Sequence, residues 1–310
     1  MWKKIGRTYN CNKKKEWNFS HCTHPVVDHF SFSDRWRIYY SSRDRNNISR
    51  TSFIDVEPEN PQNILYEHNE PIVNLGLLGE FDEFGIVPTS IIQNKNKEVI
   101  LYYIGLTVKK SVPFENFIGA ILIENNLKFS KIKGPILGKD SIDPLFIGSL
   151  CCFREKDIFR GYYMSGTSWE KIENKAEPKY CIKYAESNNG LNWRKLDKIC
   201  IELKKDEAGI CQSTVLKDKD LYSMWYCYRK MGEYRNNSKD SYKIGYAKSI
   251  DGISWERNDN SSFGIKNSSE GWDNIMTCYP WAFEYNNKKW IIYNGNSFGK
   301  TGFGFAVWEK

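Results

Sequence analysis

Five short apolar stretches punctuate the chain at nearly even distances. RIYYSSRD around Tyr40, VILYYIG around Tyr103, FRGYYMSG around Tyr163, LYSMWYCYR around Tyr226 and KWIIYNGN around Tyr293 read as buried strands, and their tyrosines lie 63, 60, 63 and 67 residues apart. Short apolar runs rich in aromatic and β-branched residues and bounded by turn residues fit strands packed on both faces. Another apolar run precedes each by thirteen to fifteen residues, beginning near Pro25, Pro88, Ser149, Ser213 and Pro280. No helical period of useful length interrupts the pattern.

A second repeat lies downstream of these strands. Tyr180–Lys195 (YCIKYAESNNGLNWRK) and Tyr242–Arg257 (YKIGYAKSIDGISWER) share seven of sixteen residues at an offset of 62. A weaker copy begins at Ile118, and a truncated one, GFGFAVWEK, ends the chain. The unit is therefore strand, turn, strand, loop, strand, turn, strand, five times over. Four-stranded units repeated around an axis are the sequence form of a propeller.

The last unit stops after its third strand, while Trp2-Lys3-Lys4 resembles the Trp255-Glu256-Arg257 that ends a complete unit. The pattern thus predicts an all-β, five-bladed β-propeller over residues 1–310, closed by the N-terminal strand, which removes an exposed edge. A β-sandwich array is the alternative, and it requires no such pairing.

The segments Ser187-Asn-Asn-Gly-Leu-Asn-Trp193 and Ser249-Ile-Asp-Gly-Ile-Ser-Trp255 read as structure rather than chemistry. Asn-Gly and Asp-Gly suit two-residue hairpins with positive φ at both central positions, and the tryptophans are expected between neighbouring blades. The pattern is similar to the Asp box of sialidases, one residue shorter.

Chemistry in such a fold belongs where the innermost strands converge. Asp82, Asp143 and Glu207 each lie six residues before the anchors Pro88, Ser149 and Ser213, and Asp273 lies seven before Pro280. The first unit has Phe19 there and no carboxylate. Four acids at one point of a repeat are expected at one mouth of the funnel, where crowding separates their pKa values into an acid and a base, as glycosidic chemistry requires. Arg43, Arg45, Arg229 and Lys230 follow the second strands and suit carboxylate or phosphate, or are solvated loop charges. His21, His24 and His29 lack the spacing of a metal site, so His24 before Pro25 is read as a substrate contact. No metal and no cofactor is called for.

Composition narrows the classes further. Aromatic residues make up 15% of the chain, including 11 Trp and 19 Tyr, which suits β-structure and stacking on sugar faces. The charge of +7 is interleaved rather than gathered in a stripe, so no nucleic-acid partner is expected. No apolar run is long enough to span a membrane. Nine cysteines without a CxxC pair read as reduced thiols, and a basic N-terminus without an apolar core is not a secretory signal. Both point to a cytoplasmic protein.

With these residues placed, the chain resembles the five-bladed propeller superfamily of arabinanases, invertases and levansucrases. More narrowly, it resembles an uncharacterised bacterial branch often encoded among surface-polysaccharide genes. The likeness is carried by His24-Pro25, Arg37 to Asp44, Phe81-Asp82-Glu83-Phe84-Gly85, Leu101 to Gly105, Glu207, Gly271-Trp272-Asp273, Tyr279-Pro280 and Tyr293 to Asn296. It implies glycan chemistry by a base, an acid and a third carboxylate that tunes the acid: Asp82 as base or nucleophile and Glu207 as acid, with Asp143 and Asp273 orienting the sugar. It also places Gln212, Trp272 and Tyr279 among the sugar contacts, with Gln212-Ser213 standing where the branch has Arg-Pro.

Three readings stay open. One is an enzyme hydrolysing or transferring a glycosyl unit. Another is a transferase or phosphorylase using a nucleotide- or phosphate-linked sugar. The third is a sugar-binding propeller without activity. The expected partner is a carbohydrate or sugar phosphate; the oligomeric state is left open.

Overall fold

The computed structural model describes all residues except 12, 14, 126 and 310. Strands occupy most of the chain, and the one helical segment among the described residues is the turn Asn296–Gly299.

The strands pair as antiparallel meanders of four. The first runs Ser20–Asp28 (β2), Trp36–Arg43 (β3), Ser49–Glu57 (β4) and Asn60–Glu67 (β5). The second runs Gly85–Gln93 (β6), Val99–Thr107 (β7), Glu115–Asn125 (β8) and Lys128–Lys131 (β9). Ile147–Glu155 (β10), Ile158–Ile172 (β11), Lys175–Ser187 (β12) and Trp193–Ile201 (β13) follow. Then come Glu207–Asp218 (β14), Leu221–Lys230 (β15), Lys243–Ser249 (β16) and Glu256–Arg257 (β17).

Cys278–Tyr285 (β18), Lys288–Asn294 (β19) and Phe303–Trp308 (β20) form the last three-stranded stretch. The N-terminal strand Trp2–Tyr9 (β1) pairs with β20, from Trp2 opposite Trp308 to Tyr9 opposite Phe303. Met1 and Glu309 also bond to one another through their backbones. The first strands of the meanders adjoin one another: β2 with β6, β6 with β10, β10 with β14, β14 with β18, and β18 with β2.

The first and second strands are the most buried, as their apolar runs predict. Tyr40, Tyr103, Tyr163, Tyr226 and Tyr293 are fully buried. The Gly-containing turns differ from the expected two-residue hairpins. Only Gly190 and Gly252 are left-handed there, while Asn189 and Asp251 are not. The physical reason is side-chain capping: Ser249 Oγ accepts from Gly252 N at 2.9 Å, and Asp251 Oδ1 accepts from Ile253 N and Ser254 N at 2.7 and 2.8 Å. Ser187 and Asn189 repeat the arrangement. Such Ser and Asx caps hold a tight turn without a second left-handed residue.

The turns join adjacent meanders. Tyr102 of the second donates to Gly190 O at 2.8 Å, and Tyr162 of the third to Gly252 O at 2.9 Å. Trp193 and Trp255 meet the rings of Tyr102 and Tyr162 edge-on, so the tryptophans pack between meanders.

Candidate functional site

Every first strand carries an irregularity at the same place. Register shifts separate Thr23 from Val26, Pro88 from Ser90, Gly148 from Cys151, Cys211 from Thr214 and Cys278 from Trp281. In four of them the first bulged residue is left-handed: His24, Ser149, Gln212 and Tyr279, with φ of 52, 49, 44 and 53°. The second meander departs because Pro88, whose ring fixes φ near −65°, stands at that position. Bulges re-aim side chains, and non-glycine residues held left-handed mark places where the surroundings impose strain.

His24, Ser149 and Tyr279 accordingly reach one cavity of about 510 Å³ between the meanders. Its lining is of two kinds. Polar and aromatic are Arg43, His24, Tyr279, Tyr242, Tyr180 and Arg229 from the first, fifth, fourth and third meanders. Apolar are Val87, Ile104, Leu106, Phe114 and Met164 from the second and third.

The polar lining is tightly connected. The His24 ring stacks on Tyr279 with centroids 3.6 Å apart, and the His24 amide donates to Asn294 Oδ1 at 2.8 Å. Tyr180 and Tyr242 share a short hydroxyl–hydroxyl hydrogen bond. Burial, with the Arg43 charge beside it, pushes the His24 imidazole down to about 3, so this histidine is neutral near pH 7.

The arginines therefore set the charge of this lining. Arg229 is 1% exposed and donates to Tyr180 Oη at 2.9 Å and to Pro178 O at 2.8 Å, with its guanidinium over the Tyr234 ring. Arg43 donates to Asn47 Oδ1 at 3.1 Å. Among the described residues no carboxylate pairs with either arginine.

One carboxylate lines the cavity, Glu177 on β12. It accepts from Arg235 at 2.9 Å and from Tyr234 at 2.8 Å. Burial alone raises a carboxyl, but these two donors win and hold Glu177 below its ordinary value.

The four acids expected at the funnel do not line this cavity. Each is built into its own meander. Asp82 accepts from Tyr103 Oη at 2.8 Å and Lys131 Nζ at 2.9 Å. Asp143 accepts from Tyr163 Oη, Ser165 Oγ and Lys195 Nζ at 2.9, 2.6 and 2.9 Å, with Lys183 at 3.1 Å. Asp273 accepts from Tyr293 Oη at 2.9 Å and Lys4 Nζ at 2.6 Å.

In the fourth meander Asp259, which the repeat spacing does not pick out, takes the Tyr226 hydroxyl. Arg257 bridges Asp259 to Glu207. For Asp82, Asp143 and Asp273 the spacing thus coincides with a common lock, in which a second-strand tyrosine and a fourth-strand cation close on the acid, whereas in the fourth meander Asp259 takes the tyrosine and shares the cation with Glu207. The carboxylates look outward across their meanders. In the first meander, where the acid is missing, Tyr40 instead faces the Tyr9 hydroxyl at 3.4 Å.

Of the expected sugar contacts, His24, Arg43, Arg229 and Tyr279 come together at the cavity, whereas Gln212 and Trp272 do not line it. Gln212 Nε2 donates to Thr89 O at 2.8 Å within the inner strands, and Trp272 stacks on Tyr293 beside the Asp273 lock. His29 packs on Phe283 away from His24. Arg45 and Lys230 pair with Glu16 and Asp206 at the surface.

Sequence reasoning missed Glu177, Arg235 and Asn116, which lie outside the repeat register. It had Tyr180 and Tyr242 in hand as the first residues of its best repeat, but as strand residues.

No family model matches the chain. Two uncharacterised proteins of Mycobacterium tuberculosis, MT1551 of strain CDC 1551 / Oshkosh and Rv1502 of strain H37Rv, are each 31% identical to it over 311 residues, spanning 100% of this chain and 99% of theirs. Among solved structures, a thermostable family-43 glycoside hydrolase superposes with a TM-score of 0.67 at 16% identity, over 96% of this chain and 91% of its own. A structure described for the GH130 family of mannoside phosphorylases, which contains glycoside hydrolases that target β-1,2 mannosidic linkages in Candida mannan, gives 0.71 at 11% identity, over 100% and 94%. At such identities the likeness is one of fold, that of the propeller glycoside hydrolases.

Proposed function

This chain belongs to the same family as those two mycobacterial proteins, and we propose that it is a carbohydrate-active propeller protein whose central cavity takes a sugar bearing an anionic group, a phosphate first of all. The carrying observation is the pair of cavity arginines, Arg43 and Arg229, that no described carboxylate neutralises, set beside the rings of Tyr180, Tyr242 and Tyr279. Guanidinium groups offer fixed donors to phosphate or carboxylate oxygens, and aromatic rings accept the C–H face of a sugar. A volume of about 510 Å³ suits a ligand of one or two sugar rings.

Hydrolysis by two carboxylates fits this cavity less well. That chemistry needs carboxyl groups about 5 to 9.5 Å apart across the scissile bond, and the lining offers Glu177, already engaged by Arg235 and Tyr234. Transfer to phosphate needs no second carboxylate, because phosphate supplies its own nucleophilic oxygen, and in the reverse direction phosphate is the leaving group, so one protein carboxylate is enough to take the acceptor hydroxyl's proton. The phosphate-linked reading is therefore preferred, and Asp82, Asp143, Glu207 and Asp273 are assigned to the scaffold.

The same reading takes the meanders as the five blades of a single ring over residues 1–310, sealed by β1. The mutual contact of successive first strands and the pairing of β1 with β20 support it.

A melting-temperature panel of glucose 1-phosphate, glucuronate, UDP-glucose and neutral oligosaccharides tests the proposal, since a ligand of the folded state raises the midpoint. Stabilisation by anionic sugars that Arg43→Gln abolishes is the expected result. Equal stabilisation by neutral oligosaccharides, unchanged in Arg43→Gln, overturns it.

A further inference from the structure

The central cavity has a neighbour. A second cavity, of about 490 Å³, adjoins it at the Glu177–Arg235 ion pair, because both residues line both spaces. Its walls are the tip of the β11–β12 hairpin, with Ile172, Glu173 and Lys175, and the loop that follows β15, with Met231, Glu233 and Asn236.

This wall is built by extra structure. β11 and β12 run to 15 and 13 residues, whereas the second and third strands of the other meanders have 6 to 11. The hairpin therefore overshoots its meander, and contacts hold it in place. Trp169 packs on Phe114 and Phe146 with ring centroids 5.1 and 5.2 Å away. Arg229 donates to Pro178 O at 2.8 Å, and the loop is tied to the hairpin by Tyr234 and Arg235, which both donate to Glu177.

The two cavities differ in charge. In the central one Arg43 and Arg229 stand without a carboxylate partner among the described residues. In the second, once Glu177 and Arg235 have neutralised one another, Glu173 and Glu233 face Lys175. A phosphate placed there meets net repulsion. Ionised carboxylates accept hydrogen bonds and donate none, so they call for hydroxyl groups, while Ile172 and Met231 offer apolar surface to C–H groups. No aromatic ring is among the described lining residues, so a nucleobase finds nothing to stack on.

We infer that the second cavity is a site for a neutral glycosyl unit, joined to the anionic unit in the central cavity by a linkage that passes over Glu177 and Arg235. The ligand is then an oligosaccharide charged at one ring, neither a lone sugar phosphate nor a nucleotide sugar. The inference rests on the reading of the central cavity as a sugar site, and it adds a second unit to the anionic one proposed above.

The test is titration calorimetry on pairs that differ by one neutral ring: glucose 1-phosphate with maltose 1-phosphate, and glucose 6-phosphate with trehalose 6-phosphate. Glucose, maltose and trehalose form the uncharged series, digalacturonate beside galacturonate adds a charged ring, and UDP-glucose adds a nucleoside. The neutral ring is expected to tighten binding at least about tenfold in a phosphate pair, and the charged ring and the nucleoside to add less. Met231→Trp fills the second cavity and should bring the ratio within the pair close to one, with the monosaccharide phosphate bound as before. Ile172→Ser, at a hairpin position 37% exposed and so of little consequence for folding, should lower the same ratio. Arg43→Gln should weaken both members of a phosphate pair together and leave their ratio unchanged.

Equal binding within both phosphate pairs, a gain that survives Met231→Trp and Ile172→Ser, or a larger gain from the charged ring or the nucleoside overturns the inference and leaves the anionic reading standing. The same gain in the uncharged series, with nothing added by phosphate, upholds the second site and overturns the anionic reading. Silence from every ligand in the set overturns both.

Discussion

Asp143, a candidate catalytic carboxylate by its spacing, is enclosed by partners of its own meander. It is fully buried, and a tyrosine, a serine and two lysines surround it. Burial alone raises its carboxyl, but Lys195 and Ser165 outweigh that and hold it below the ordinary carboxylate value. Asp143→Asn takes from Lys183 and Lys195 the buried carboxylate they share and leaves them only the more exposed Asp197 and Asp140, and breaking a buried pair in this way costs about 3 kcal/mol. The expected outcome is a large fall in the denaturation midpoint with ligand affinity preserved in the folded fraction. A residue of the binding site would show the opposite pattern, and Arg43→Gln is expected to do so. Ser149, by contrast, is held left-handed without being glycine. Ser149→Gly removes a backbone cost of about 1 kcal/mol, so urea denaturation should show equal or greater stability.

The bulged first strand is the element that builds the site. Two residues on each of β2, β10, β14 and β18 oppose a single tyrosine of the next strand. One device therefore turns His24, Ser149 and Tyr279 inward while the tyrosine behind it reaches outward to a lock. The anchors Pro25, Pro88, Ser149, Ser213 and Pro280 were visible as a recurrence, and the bulges fall on them. What the recurrence could not reveal is side-chain direction. Strand alternation assumes a regular period of two, and an inserted residue reverses it. For that reason the acids before the anchors are expected at the funnel in the sequence, while in space they meet tyrosine, lysine and arginine partners and do not line the cavity.

At the other end of the meander, β1 is joined to β20 through its whole length, and Lys4 on it completes the Asp273 lock. Removing residues 1–9 should lower the melting temperature by several degrees. It should also promote association, because the edge of β20 is left unpaired. Size-exclusion chromatography of the truncated chain checks this.

Across the whole molecule, charge and pH act through buried groups. Burial pushes the imidazoles of His21, His24 and His29 down to about 4, 3 and 4. Below the ordinary histidine value of 6.5 the unfolded chain takes up protons that the folded chain refuses, so stability falls as pH drops from about 6.5 toward 4. The depressed Asp143 and Glu177 carboxyls act in the same direction at lower pH, since their stabilisation is lost as they protonate. Melting curves at successive pH values should decline first below about pH 6.5 and then more steeply in the carboxylate range. Binding of an anionic sugar should weaken with added salt, but less than a surface ion pair does, because Arg229 is enclosed.

Periodicity, turn chemistry and recurrence carry the strands, their grouping in fours and the pairing of the N-terminal strand, because these follow from local backbone preferences repeated at a constant interval. His24, Arg43 and Arg229 stand out on the same basis, since each sits at a repeated place on an inner or second strand, whereas Tyr279 entered through the resemblance, and all four line the cavity. The identity of the cavity needed three dimensions. Glu177, Arg235 and Asn116 come from a long hairpin, a loop and a third strand that share no register, and they meet because separate meanders face one space. The second cavity depends likewise on a hairpin of the third meander and a loop of the fourth. Where residues distant in the chain converge is set by packing and by the direction each bulge imposes, neither of which any local pattern records.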